Sequence, residues 1–276
     1  MDERFPKTPE VKLEIFDQPF KNNLLARSRE VDQKHTLSLE PFIDLYGLDN
    51  VKKDYRKVAD RISTFDNNSN SHEVFGKIFE SAFLDIGRNG HWFGQKSELV
   101  RASKYDDILN GVDVVATIVA PDDSARHLAI ASDLTFSHMN SSEKFNRIKN
   151  NVWGGKLAEI KYFHSDLLNM TGKLSNVPRT VVGLEPVNLN RFLLNWLREP
   201  ELSQLQFGKI ILDQIATQSS AFANLANEAK RPQVQEIYRR TESIVNSLLQ
   251  SDYKDIEALD DKISVSIKKA CERIID

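Results

Sequence analysis

Cysteine is almost missing from this chain: Cys271 stands alone among 276 residues. One thiol cannot form an intramolecular disulfide, and it leaves no cysteine-based zinc site to build. Its place in a helical pattern near the C-terminus marks it as inert. Long apolar runs are missing too. None approaches the ~18 residues that a spanning helix needs. The first ten residues, MDERFPKTPE, lack an apolar secretory core, so a cytoplasmic protein without membrane contact is the expectation. A strong charge of one sign is also absent. There are 37 Lys and Arg against 40 Asp and Glu, for a formal net charge of −3. That argues against a protein that coats nucleic acid non-specifically and leaves room for a local basic cleft. What is present is an ordinary globular composition, 40% hydrophobic and 28% charged. The length suits one large domain or two smaller ones.

The most informative stretch covers residues 105–137, YDDILNGVDVVATIVAPDDSARHLAIASDLTFS. It reads as two antiparallel strands, 112–120 and 127–137, joined by the turn PDDSAR. Each strand carries one carboxylate in an apolar run: Asp113 opens the first and Asp133 lies late in the second. Steps of two along the second strand put Asp133, Thr135 and Ser137 on one face, and Ile130, Leu134 and Phe136 on the other. A carboxylate in an apolar strand costs several kcal/mol or so unless paired. A divalent cation is a natural partner for two of them.

Around this stretch the pattern is mostly helical. The first forty or so residues, with Pro6, Pro9 and Gln18-Pro19, suggest an extended arm with a short strand at 11–16. Helices are expected at 48–65 and 71–87, with a loop, FDNNSNS, between them. The second helix has an apolar face of Val74, Phe75, Ile78, Phe79, Ala82, Phe83 and Ile86, with Glu80 beside it. Taken singly, Glu80 is a boundary residue of an amphipathic helix. Residues 91–102 hold a short strand or turn carrying Trp92 and Phe93; Trp92 reads as core, and His91 alone is no ligand site. A helix covers 141–152, strands 157–165 and 178–185, and the remainder is helical, ending in a segment at 256–275. The C-terminal faces read as a packing or oligomerising bundle.

Helix, strand, strand, helix and strand in that order, with Glu80, Asp113 and Asp133 placed on them, resemble the PD-(D/E)xK nuclease superfamily, the restriction-endonuclease-like fold. Asn110 to Val115 (NGVDVV) resembles its first Asp motif and Ser132-Asp133-Leu134-Thr135 its second. More narrowly, YDD-x-x-NGVD-x-V, SDLTFS and KLAEIKYF resemble a group of uncharacterised bacterial proteins of this type. The resemblance implies an α/β (α+β) fold with an αβββαβ core and a mixed sheet flanked by helices. It divides the chain into an N-terminal arm and helix (1–70), a nuclease-like core (71–187) and a C-terminal helical region (188–276).

It also implies a site. Asp113 and Asp133 would hold Mg²⁺ or Mn²⁺, with Glu80 completing it and the carbonyl of Leu134 as a further ligand. Thr135 stands where the motif has Lys, and threonine supplies neither positive charge nor a useful base near neutral pH. The superfamily sometimes recruits a Lys from elsewhere. The candidates are Lys144, Lys149, Lys156 and Lys161, with Lys144 the first choice; taken singly, each is a solvated surface charge. Lys96, Arg101, Lys104, Arg147 and Lys149 flank the acids and would hold phosphates. Asp106 and Asp107 read as loop residues.

The expected activity is metal-assisted phosphodiester hydrolysis of nucleic acid, DNA rather than RNA, with the C-terminal helices positioning substrate or forming a homodimer. The alternatives are a degenerate nuclease fold that binds nucleic acid or protein without cutting, which Thr135 favours, and an assembly protein whose helical half does the work. Order on a common fold does not fix function.

Overall fold

The computed structural model describes residues 16–64, 71–119, 127–136, 138–198 and 201–275. The expected strand at 11–16 and loop at 65–71, each but for one residue, lie outside these, as do Ser137 and the whole PDDSAR turn.

Within the expected extended arm, the described residues form a helix, α1 (Gln18–His35). The Asp17 carboxylate accepts the Phe20 N–H at 2.8 Å and caps it. Pro19 lies in the first turn, where its missing N–H has no intrahelical partner to lose. Gln18-Pro19 therefore starts a helix; it does not break one. Buried Leu24, Ser28 and Val31 recur at steps of four and three. Helices α2 (Glu40–Tyr46) and α3 (Leu48–Ser63) follow, hinged at Gly47, whose φ of +81° suits a residue without Cβ. Helix α4 (Ser71–Asn89) buries Phe75, Ile78, Phe79, Ala82, Phe83 and Ile86, as its apolar periodicity predicts. Trp92 is fully buried and meets Phe83 edge-on, so it is core.

The strands are β1 (Ser97–Arg101), β2 (Val114–Val119), β3 (His127–Thr135), β4 (Ala158–Ser165), β5 (Met170–Val177) and β6 (Arg179–Gly183), with α5 (His138–Trp153) between β3 and β4. A four-stranded mixed sheet has the order β1-β2-β3-β6. Its first two pairings are antiparallel, and β3 with β6 is parallel. β4 and β5 form a separate antiparallel pair with irregular register. The β1 strand follows Trp92 and Phe93; it does not carry them. The sequence of β5, MTGKLSNV, is poor in strand formers, and it owes its conformation to pairing with β4.

The alternation in β3 holds. Ile130, Leu134 and Phe136 join the core against α4, while Ala131 packs on the opposite face. The same core takes residues from Phe16 to Tyr253, so the N-terminal helix, the sheet and the C-terminal helices share it. The latter are α6 (Pro186–Arg198), α7 (Glu201–Glu228), α8 (Pro232–Ser251) and α9 (Lys262–Ile275). The last helix starts six residues later than expected because Asp261 caps it, accepting the Ser264 N–H at 3.0 Å.

β6 is an edge strand, and α7 and α8 complete its hydrogen bonding. Tyr238 Oη accepts the Arg179 N–H at 3.1 Å and donates to the Arg179 carbonyl at 3.0 Å. Gln218 serves the N–H and carbonyl of Val181 at 2.9 and 2.6 Å. Gln214 serves those of Gly183, both at 2.8 Å. Side chains thus stand in for a fifth strand, where each unmet backbone group would cost about 1–3 kcal/mol. The apolar faces of α7, α8 and α9 are turned inward, with Phe222, Tyr238 and Ile267 packed on Phe145 and Val181. Among the described residues no helix is long and apolar enough to cross a membrane.

Candidate active site

The antiparallel register places Val114 opposite Ser132, and the Asp113 N–H bonds the Ser132 carbonyl at 3.0 Å. Asp113 thus sits just ahead of β2, beside Asp133. Its carboxylate accepts the Leu134 N–H at 2.6 Å. Asp133 is buried, and its two oxygens are fully engaged. Oδ1 lies 2.5 Å from Lys144 Nζ; Oδ2 lies 2.6 Å from an Arg147 nitrogen and 2.7 Å from an Arg179 nitrogen. Lys144 Nζ also donates to the Leu134 carbonyl at 2.5 Å. Lys144 and Arg147 come from the second and third turns of α5, three residues apart and therefore on one face. Thr135 is buried, and Lys144 brings an ammonium to the two residues before it.

Glu80 enters from α4. Its side chain keeps 28% exposure, and it lies 4.0 Å from Arg101. Arg101 in turn bonds Asp32 of α1 at 2.8 Å and Ser81 at 3.0 Å. Burial, then the nearby charge of Asp107, push the Glu80 carboxyl up to about 7, against the pull of Arg101 and Lys144. Burial, then Glu80 and Asp133, hold Asp113 well above the usual carboxylate range. Asp107 is raised by burial and by Asp133, with Lys104, Arg101 and Lys144 opposing. Glu80, Asp107, Asp113 and Asp133 therefore share one electrostatic neighbourhood, and Lys144 acts on the first three while touching the fourth.

The loop before β2 is more than a connector. Residues Asp106–Asn110 form a π-helical turn, a conformation common at functional sites. Asp106 is its anchor: its carboxylate accepts Ser103 Oγ, Asn110 Nδ2 and the N–H groups of Lys161 and Tyr162, at 2.7 to 3.0 Å. Asp107, one residue on, is near enough for its charge to raise the Glu80 and Asp113 carboxyls. Arg179 pins the end of the turn by donating to the carbonyls of Asn110 (2.6 Å) and Gly111 while holding Asp133. Gly111 has φ +62°, and a Cβ there would come within 2.6 Å of Arg147 and 2.7 Å of Arg179. No other residue type fits that approach without displacing both guanidinium groups.

Several residues named from the sequence lie elsewhere. Lys161 is not at the acids: its ammonium pairs with Asp54 of α3, 5.5 Å from the ring centres of Tyr46, Tyr105 and Tyr162. The strand that bears Lys161 belongs to the second sheet. Lys96 is exposed at the far end of β1, where its carbonyl pairs with Val119, about 16 Å along the strand from Arg101. Lys149 is two residues beyond Arg147 and so turns away from the Lys144–Arg147 face. Lys156 is exposed in the loop after α5. Lys104 is exposed but close enough to act on Asp107.

Sequence reasoning missed Arg179, although the signal was there. An arginine opening an apolar strand carries the same demand for a partner as Asp133 does. Burial holds its guanidinium below the ordinary value, with Asp133 pulling the other way.

The donor set is made of carboxylate and carbonyl oxygens, which suits Mg²⁺ or Mn²⁺ and not zinc. Among the described residues no three acids converge closely enough to hold a metal ion as they stand. The Lys144 ammonium lies between two of the oxygens that would do so. No family model matches the chain, and comparisons with curated proteins and with solved structures find no significant match.

Proposed function

We propose that the chain is a metal-dependent phosphodiester hydrolase of nucleic acid, DNA rather than RNA, with a PD-(D/E)xK-like site in residues 71–187. The observation that carries this reading is the contact of Lys144 with Asp133 and the Leu134 carbonyl. A cationic group absent at Thr135 is thereby supplied from α5. The order of α4, three antiparallel strands and α5, followed after the β4–β5 hairpin by β6 parallel to β3, supports it as an αβββαβ order with a hairpin inserted.

Asp113, Glu80 and the Asp133–Leu134 pair are the oxygen ligands in this reading. A bound Mg²⁺ supplies Lewis acidity and a water of lowered pKa. Arg179 fixes Asp133 and the turn that precedes Asp113. Lys144 orients the water or offsets charge on the phosphate, and Arg147, half exposed at the mouth, receives a phosphate oxygen. A second reading, nucleic-acid binding without cleavage, draws on one observation: every oxygen of Asp133 is already held by the chain's own cations.

Plasmid, single-stranded DNA and RNA incubated with Mg²⁺ or Mn²⁺, and with chelator, decide between them. Cleavage that chelator abolishes, and that Asp113→Ala and Asp133→Ala both lose, supports hydrolysis. Tight binding without any cleavage supports the second.

A further inference from the structure

We propose that Lys144 is the resident counter-ion of the acid cluster, and that a divalent cation enters by exchange with its ammonium group. This rests on the hydrolase reading above. Lys144 Nζ lies 2.5 Å from both Asp133 Oδ1 and the Leu134 carbonyl oxygen. A hard cation bonds such oxygens at about 2.0–2.1 Å, so ammonium and metal compete for the same lone pairs. The remaining contacts of Asp133 are built differently. Arg147 and Arg179 both take Oδ2, leaving Oδ1 as the oxygen that exchange would free.

The two kinds of cation also differ in freedom. Arg179 has 9% of its side chain exposed and is fixed by two loop carbonyls. Lys144 has 27% exposed and a flexible four-carbon stem, so it can swing out while Asp133 stays oriented. The charges on Glu80, Asp107 and Asp113 all feel Lys144. Without metal, the ammonium holds Asp133 and the Leu134 carbonyl together and offsets charge on the other three acids. With metal, the same ammonium is released beside the bound ion, where a reacting water or phosphate would meet it. The fold thereby keeps its acids together at low metal concentration and commits Lys144 to chemistry only in the loaded state.

Calorimetric titration of Mn²⁺ into the wild type, K144Q and K144R tests this. Removing a competing charge raises affinity, so K144Q is expected to bind Mn²⁺ about tenfold tighter or more. K144R, which keeps the charge, is expected to stay near the wild type. A second measurement needs no variant: reductive methylation read by mass spectrometry, with exposed Lys254 as reference. Labelling of Lys144 should rise several-fold in saturating Mg²⁺. Equal or weaker Mn²⁺ binding by K144Q overturns the exchange and leaves the metal site standing. Binding by none of the three proteins overturns both. Should K144Q fail to fold, unchanged labelling of Lys144 on metal binding overturns the proposal.

Discussion

Glu80 makes the acid cluster measurable through stability. Its carboxyl has an ordinary value of 4.5 and is pushed to about 7 in the fold, by burial first and then by Asp107. Between those values the folded chain binds a proton that the unfolded chain has released. Folding stability contributed by this group is therefore fully present below pH 4.5 and is lost as pH rises to about 7. The full shift corresponds to about 3 kcal/mol, and water reaching the partly exposed side chain trims it to about 2 kcal/mol. Glu80→Gln removes the ionisation. In metal-free buffer the variant should match the wild type at pH 4 and exceed it by about 2 kcal/mol at pH 8. Urea unfolding across that range is the assay. Asp113 and Asp107 are raised in the same direction, so the variant keeps part of the wild type's slope. A Glu80→Gln protein that is less stable than the wild type at pH 8, or a difference that does not vary with pH, would refute the reasoning.

Two further predictions concern the frame around the acids. Arg179→Lys keeps the charge but cannot span Asp133 and the carbonyls of Asn110 and Gly111 together; it should cost about 2 kcal/mol in urea unfolding, and a change under 0.5 kcal/mol would remove Arg179 from the account. Asp54 carries the opposite pH sign: burial raises it, but hydrogen bonds from Lys161, Lys57 and Tyr162 outweigh that and hold it below its ordinary value. Its contribution is present above the unfolded value and lost as pH falls through the folded one. Asp54→Asn should therefore be most destabilising at neutral pH and approach the wild type in acid, as followed by thermal melting at several pH values.

Much of the sheet was legible because the physics is local. Alternation set the faces of β3, and apolar spacing set α4. The cost of charge in an apolar strand singled out Asp113 and Asp133. That Lys144 lies beside Asp133 was legible only through the resemblance, since nothing in the second turn of α5 distinguishes it from a solvated lysine. Residues 18–35 form α1 and not an extended arm because the Asp17 carboxylate caps the helix and Pro19 sits in its first turn. Strand β5 has no pattern of its own. Lys161 lies away from the acids because strand residues 158–165 leave the main sheet for a hairpin, where Lys161 and Tyr162 pack against Asp54, Phe42 and three tyrosines, Tyr46, Tyr55 and Tyr105. The dependence of the β6 edge on Tyr238, Gln214 and Gln218 spans thirty residues or more in sequence, beyond any periodicity.

Asp113→Asn offers the sharpest test of the hydrolase reading. An asparagine side-chain oxygen still accepts the Leu134 N–H, so the fold is kept while a ligand charge is removed. Mg²⁺-dependent cleavage of labelled DNA should fall at least a hundredfold, or about 3 kcal/mol in the barrier, with melting temperature unchanged or higher. Cleavage by the variant at the wild-type rate would contradict the account.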